Sequence, residues 1–327
     1  MPENKKVSKI RRIKALDLFC GAGGSSLGAR AAGADIVAGV DLSKMAGESY
    51  KANFPKAKFI GERLEDISPG ELKKRIGSIN LLLASPECTN HTCAKGKKRR
   101  SEKSKATAFQ VPRFAKTFKP RWIVVENVVQ MRNWSKYDEW LEQIKSLGYK
   151  YQEMVLDASK FGVPQSRKRL FIVFDKKKVP SEIRPHGGIK EKRIKPLLNM
   201  NGKYDYSILR TKDRAEGTLK RANNAIGALK AHTPFLLVYY GSDGAGGWQG
   251  LNRPLRTITT VDRFALVKWD KGYKMRMLQV DELKKAMGFP VRFKLMAKNR
   301  RDRIAVLGNA VCPPVMETIV KRLIKDR

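Results

Sequence analysis

Ala15-Leu16-Asp17-Leu18-Phe19, running straight into Cys20-Gly21-Ala22-Gly23-Gly24, decides the fold. The first five residues read as a buried strand and the glycine cluster as a tight turn. Residues 25–32 follow as a helix with Ser25 near its start. A strand, a glycine-rich turn and a helix N-terminus form a cradle in which backbone N–H groups meet an anionic group. A second apolar run over residues 36–40 ends in Asp41, twenty residues after Gly21. A carboxylate at that distance suits ribose hydroxyls.

Further strands follow in the same rhythm. Residues 81–84 run into Ser85, residues 122–125 run into Glu126, and residues 170–174 are strongly apolar. Ser135 with Asp138 three residues on resembles a capping box for a helix ending before Gly148. Alternation of this kind predicts an α/β fold, a parallel sheet with helices on both faces. After Asp175 the pattern breaks, and residues 176–234 are rich in lysine and arginine with little clear period. Order returns at residues 235–240, before a glycine-rich loop over 241–250. Helices are expected over 281–287 and 314–324. The plan is a catalytic and cofactor-binding domain over 1–180, a reading region over 181–255, and a segment over 256–327 that returns to the first domain.

The 327 residues are enough for one large domain and a smaller one. Lysine and arginine number 68 against 31 acids, a net charge of +37. That excess fits a polyanion, because each cation set against a phosphate releases a condensed counterion. A neutral metabolite as sole partner fits poorly. Four cysteines, at 20, 88, 93 and 312, with no secretory leader, predict reduced thiols in the cytoplasm. No stretch approaches the roughly 20 apolar residues that cross a bilayer, so no membrane is expected.

Four groups carry chemistry. The Gly21-Ala-Gly23-Gly24 turn departs from dinucleotide spacing. It leans instead toward S-adenosylmethionine, whose anionic end is a carboxylate. Cys88 follows a strand and a Ser-Pro turn, where parallel sheets place ligands, and is a candidate nucleophile. Cys88, His91 and Cys93 lack the fourth ligand of a closed zinc site, so no metal is expected. Glu126 ends the next strand beside Asn127. Alternation turns Gln165, Arg167 and Arg169 to one face and Ser166 and Lys168 to the other. Two arginines aimed together suit a base edge or phosphates.

The motifs Asp17-Leu-Phe-Cys-Gly-Ala-Gly-Gly24, Ser85-Pro-Glu-Cys88, Glu126-Asn-Val128 and Gln165-Ser-Arg-Lys-Arg169 follow one another in order. Arg253-Pro-Leu-Arg-Thr-Ile-Thr-Thr260, Met287-Gly-Phe-Pro290 and Gly308-Asn-Ala-Val-Cys-Pro-Pro314 come after them. As an ordered set they resemble the blocks of cytosine-5 DNA methyltransferases along the whole chain. The resemblance implies a Rossmann-like S-adenosylmethionine-dependent fold with a small target-recognition domain. Cys88 would add to carbon 6 of a flipped cytosine, and Glu126 would hold ring nitrogen 3 and the exocyclic amine. Arg169 would contact the base oxygen, and Arg167 would support the catalytic loop.

The same resemblance assigns Phe19, Gly21, Gly23, Gly24, Asp41, Glu62 and Asn309 to the cofactor. It assigns Gln165 and the run Lys97, Lys98, Arg99 and Arg100 to DNA, the run as a loop that closes on phosphate. Two positions depart from the family pattern: Glu87 stands where proline usually precedes the nucleophile, and Gly61-Glu62 replaces Gly-Asp. The implied partner is double-stranded DNA, with the protein a monomer at the nucleoid and a cognate restriction endonuclease as a companion. The same chemistry on tRNA, or a catalytically silent DNA-binding relative, are the alternatives.

Overall fold

The structure is a computed structural model describing residues 12–87, 106–185, 188, 190–240 and 246–327. Its larger sheet contains β1 (Ile13–Leu18), β2 (Ala34–Val40), β3 (Lys58–Ile60), β4 (Leu81–Ala84), β5 (Trp122–Asn127), β6 (Lys150–Asp157) and β7 (Lys168–Asp175). The strand order is β3-β2-β1-β4-β5-β7-β6. The first five strands are parallel, whereas β7 runs antiparallel to β5 and to β6. The parallel sheet expected from alternation therefore stops at β5. Residues 158–167 are too short a connection for a crossover, so β6 and β7 pair as a hairpin.

Both faces of β4 and β5 are buried along their whole length, which explains their unbroken apolar runs. One face is covered by α3 (Pro69–Ile76), α4 (Gln110–Phe118) and α5 (Tyr137–Lys145), through Leu72, Phe114, Phe118, Trp140 and Ile144. The other carries α1 (Gly24–Ala31). Helix α2 (Lys44–Asn53) starts at Ser43, whose Oγ accepts the Ala46 N–H. The capping box expected at Ser135 does not form. Lys136 holds the N-cap of α5 without a side-chain bond, and Asp138 and Glu139 instead place negative charge in the first turn.

A second sheet is antiparallel throughout, in the order β10-β9-β11-β12-β8. It comprises β8 (Ser207–Ile208), β9 (Phe235–Val238), β10 (Trp248–Gly250), β11 (Phe264–Trp269) and β12 (Tyr273–Met277). Helix α6 (Glu216–Ala228) packs Ala222 and Ala225 against Phe235, Leu237, Ala265 and Val267. That helix lies in the stretch with no readable period, because its buried contacts are small residues. Two strands of this sheet come from beyond residue 255, past the bound expected from the sequence, so the chain leaves this sheet and re-enters it. Residues 253–258 touch the catalytic sheet on the way.

Helices α7 (Val280–Ala286), α8 (Arg300–Asn309) and α9 (Pro313–Lys325) complete the return. A Cβ at Gly24 would stand 2.2 Å from the Val311 carbonyl oxygen, so only glycine lets α1 approach the segment leading into α9. Arg300–Lys325 is long and apolar enough to cross a membrane by length and composition alone. It is broken into two helices, and 67% of its apolar window is buried inside the fold, as core helices are.

Arg276 on β12 of the second sheet is paired with Glu282 on α7. Both guanidinium nitrogens donate to the carboxylate, at 2.6 and 2.8 Å, and the side chains are 3% and 5% exposed. Glu282 also accepts the Asn199 and Gln279 N–H groups. Removing one partner of a buried pair leaves an uncompensated charge. Arg276→Met is therefore expected to lose about 3–5 kcal/mol in urea denaturation, and Arg276→Met with Glu282→Leu to recover most of it. Equal midpoints for the parent and the single variant would remove this pair from the account of stability.

Candidate active site

Strand order reverses between β1 and β4, and parallel sheets place ligands beyond the carboxyl ends of strands at such a point. A cavity of about 260 Å³ lies there, lined from β1 by Phe19, Gly21 and Ala22, from β2 by Asp41, and from β3 by Glu62. Ser85, Pro86 and Glu87 follow β4, and Glu126 closes β5. Gly308 and Asn309 arrive from the end of α8, so the returning segment forms one wall.

At the β1–β2 end, Asp41 is pinned by two backbone donors. Gly21 N–H donates to Oδ2 and Ser43 N–H to Oδ1, each at 2.8 Å. Burial pushes the Asp41 carboxyl up from its ordinary value, while those N–H bonds hold it down. Phe19 keeps a left-handed φ of 57°, a strained setting for a bulky side chain, and lines the cavity. Leu42 and Met45 stand beside it, 54% and 36% exposed. Sequence reasoning missed both. Their signal was two apolar residues at the entry to α2, directly after the acid. An aromatic ring, two apolar side chains and a fixed carboxylate fit the purine and ribose of a nucleoside cofactor.

Gly23 and Gly24, expected at the cofactor, do not line the cavity. Gly23 takes φ 96° as the N-cap of α1, and Gly24 meets Val311. Their glycines serve turn and packing.

At the other end, Glu126 is buried and its Oε1 lies 3.3 Å from the Arg169 guanidinium. Burial raises the Glu126 pKa, opposed by the charges of Arg169 and Arg167. Arg167 is turned into the protein. Its guanidinium donates to the carbonyls of Ile258, Gly308 and Ala310 at 2.8, 2.7 and 3.2 Å. Gln165, expected to contact DNA, is wholly buried: Oε1 accepts the Ile258 N–H at 2.7 Å, and Nε2 meets the Met287 sulfur. The face shared by Gln165, Arg167 and Arg169 is real, but the segment around Ile258 covers its first two members. Cys88 and the run Lys97, Lys98, Arg99 and Arg100 lie outside the described residues, as do His91 and Cys93. Cys20 and Cys312 are buried with thiols pushed up, Cys312 to about 11, which disfavours a thiolate at either.

A family profile described as C-5 cytosine-specific DNA methylase matches residues 13–325. The chain belongs to the C-5 cytosine-specific DNA methylase family. Type II methyltransferase M.FnuDI of Fusobacterium nucleatum is 27% identical over 95% of this chain and 94% of its own length. Type II methyltransferase M.DdeI of Desulfomicrobium norvegicum is 30% identical over 48% of the chain. The tRNA (cytosine(38)-C(5))-methyltransferase of Bos taurus is 32% identical over 49%. The chain spans less than half the length of these last two, 39% and 42%. Solved structures of Entamoeba histolytica methyltransferase EhMeth and S. pombe Dnmt2 methyltransferase share the fold, with TM-scores of 0.71 and 0.70. Their identities are 18% and 19%, each over 97% of this chain and 99% of theirs. The methyl donor of the family is S-adenosylmethionine, and the lining residues fit it.

Asp17, beneath the first turn, is fully buried. Its Oδ2 accepts the Ser26 N–H at 3.1 Å and the Ser26 hydroxyl at 2.6 Å, while Oδ1 has no partner among the described residues. Burial lifts its pKa from 3.8 to about 7, the Ser26 bonds opposing and the Asp41 charge assisting. With the folded pKa above the unfolded one, this group's stability is fully present below pH 3.8 and is lost as pH rises to about 7. The slope is about 1.4 kcal/mol per pH unit. Asp17→Asn keeps the acceptor for Ser26 and is expected to flatten that slope in urea midpoints between pH 4 and 7.5. Parallel pH profiles for parent and variant would refute the buried-acid account.

Proposed function

We propose that the protein is a DNA (cytosine-5)-methyltransferase acting on a cytosine flipped out of duplex DNA. The observation that carries this reading is the pairing of Glu126 and Arg169 at the floor of the cavity whose other end holds Asp41 and Phe19. A base edge and a nucleoside cofactor would meet in one space. The near full-length relation to M.FnuDI supports DNA as substrate, and the net charge of +37 suits its phosphates.

In this mechanism the Cys88 thiolate adds to carbon 6 of the ring. Glu126 holds ring nitrogen 3 and the exocyclic amine, and its raised pKa favours a proton shared with the ring as electrons arrive. Arg169 holds the base oxygen. When bound, S-adenosylmethionine supplies the methyl group, as an electrophile, to carbon 5. Loss of the carbon-5 proton then expels Cys88. The base must leave the stack, at a few kcal/mol, since carbon 6 is closed to attack within a duplex. Such a protein would work in the cytoplasm, at the nucleoid. A second reading, the same chemistry on a structured RNA, rests on the similarity to the Bos taurus tRNA enzyme.

Labelled S-adenosylmethionine offered with duplex DNA or with tRNA separates the two readings. Cys88→Ala is expected to abolish transfer while leaving DNA binding largely intact, and only the parent should trap on 5-fluorocytosine DNA. Glu126→Gln should slow transfer by roughly 10²–10⁴-fold at near-parent cofactor affinity. Label entering tRNA alone would reverse the choice of substrate; continued transfer by Cys88→Ala would move the nucleophile to another thiol.

The cations at Lys97, Lys98, Arg99 and Arg100 adjoin the nucleophile in sequence. Replacing all four is expected to weaken DNA binding without altering site preference, because phosphate contacts position and do not specify. Each lost contact lowers the log–log salt slope by about 0.9. Equal slopes would dismiss these residues as phosphate contacts.

A further inference from the structure

The cleft wall on the β3 side has little support of its own. Strand β3 is three residues long and stands at the edge of the sheet, paired with β2. The loop after it brings Glu62, Arg63, Leu64 and Glu65 to the cavity before Ser68 caps α3. Two turn bonds form inside that loop, from Asp66 N–H to the Arg63 carbonyl at 3.0 Å and from Ile67 N–H to the Leu64 carbonyl at 3.4 Å. Leu64 and Ile67 are buried in one apolar cluster with Val111, Phe114 and Phe118 of α4. Apolar burial sets how deep the loop lies, but it has no direction and cannot orient a backbone.

A side chain from α4 supplies the direction. Arg113 donates from Nη2 to the Ile67 carbonyl at 3.0 Å and also to the Leu64 carbonyl. Its Nε donates to Gln110 Oε1 at 2.7 Å, one turn back on the same helix, which fixes the plane of the guanidinium. A planar fork can hold both carbonyls at once, whereas an ammonium is a point charge on a flexible stem. Burial pulls the Arg113 pKa below its ordinary value, opposed by the charge of Glu65, itself a lining residue. The 3₁₀ turn Ala106–Phe109, immediately before α4, carries Thr107 to the same cavity. Helix α4 therefore serves the cleft twice, directly through the turn before it and at a distance through Arg113.

We propose that Arg113 is a positioning residue of the cofactor cleft, holding the lining loop 62–65 in place for the nucleoside half of the ligand. The inference rests on the S-adenosylmethionine reading of the cavity. Residues 62–65 extend from β3, beside the β2 end where Phe19, Asp41, Leu42 and Met45 stand, so a shift of this wall is felt at the nucleoside end. The Glu126–Arg169 pairing lies on β5 and β7 and shares no bond with the clamp. Without the guanidinium, two carbonyls beside an apolar cluster lose their donor, and the loop must move to satisfy them. The cost then falls on cofactor binding and not on turnover. A second tie joins the same two helices without touching a lining residue: Lys73 Nζ on α3 donates to the Thr117 carbonyl on α4 at 2.9 Å.

Calorimetric titration of S-adenosylmethionine and S-adenosylhomocysteine into the full chain, without DNA, tests this. Arg113→Met is expected to weaken both ligands about tenfold, the scale of one lost hydrogen bond from a charged group. The two ligands share their nucleoside, so the ratio between them should stay at the parent's. Turnover at saturating cofactor and affinity for duplex DNA should remain within about twofold of the parent. Arg113→Lys should fall between, since one carbonyl keeps a donor. Lys73→Met is the control: it should lower the urea midpoint and leave both dissociation constants unchanged. Parent affinity in Arg113→Met overturns the proposal, and so does equal weakening by Lys73→Met, which would make the effect one of stability alone. Should Arg113→Met fail to fold, Arg113→Lys decides by itself, and parent affinity there has the same force. If the parent binds neither ligand, the cofactor reading of the cavity falls, and this inference with it. Binding that Arg113→Met does not weaken leaves that reading standing and removes only Arg113.

Discussion

Arg167 joins three parts of the chain that are far apart in sequence. From a position just before β7 its guanidinium reaches the carbonyls of Ile258, Gly308 and Ala310, and all of this is buried. A buried guanidinium needs partners for its donors, and here backbone carbonyls supply them. The consequence is geometric. The segment around Ile258 is held against the catalytic sheet, and the end of α8 is held beside the cofactor cleft. Arg169, two residues on, then faces the cavity and Glu126. Gln165 completes the arrangement from the other side through the Ile258 N–H.

The site depends on this return. Its sheet side is built from strand ends, which fix Phe19, Asp41, Glu62 and Glu126 at the carboxyl edge of five parallel strands. Its far wall is Gly308 and Asn309, which reach it only because α1 admits the backbone at Val311 against Gly24. The Arg276–Glu282 pair performs a comparable task for the second sheet, fixing β12 to α7 and so to the catalytic body. Two buried arginines thus set the relation between the elements that carry chemistry and the elements proposed to read a target.

Much of the site was legible because strand ends announce themselves. Residues 81–84 and 122–125 are apolar without interruption, which marks a strand buried on both faces. The first polar residue after such a run stands at the ligand edge of a parallel sheet. Glu126 and Asp41 follow from that rule, and the cavity contains both. Helix α6 escaped because alanine and threonine bury its inner face, leaving no contrast for a helical period to show. Strand β7 was found but not its direction, since an apolar run reads the same whichever way it lies. The capping frame at Ser135 was off by one residue, a shift that one loop conformation decides.

The sequence by itself determined which residue types stand at which strand ends, and with them the α/β class and the chemistry available. Tertiary structure decided which of those residues remain open to a ligand. Gln165, Arg167 and Arg169 alternate onto one face, as their spacing requires. Whether that face is a surface or an interior depends on residues 255–258 and 308–310, more than 85 positions further along the chain. Gly23 and Gly24 look like cofactor glycines until the rings of Phe54 and Tyr50 crowd the first and the backbone at Val311 packs on the second. Local periodicity sets the direction of a side chain. What it meets there is set by segments whose approach no local pattern encodes.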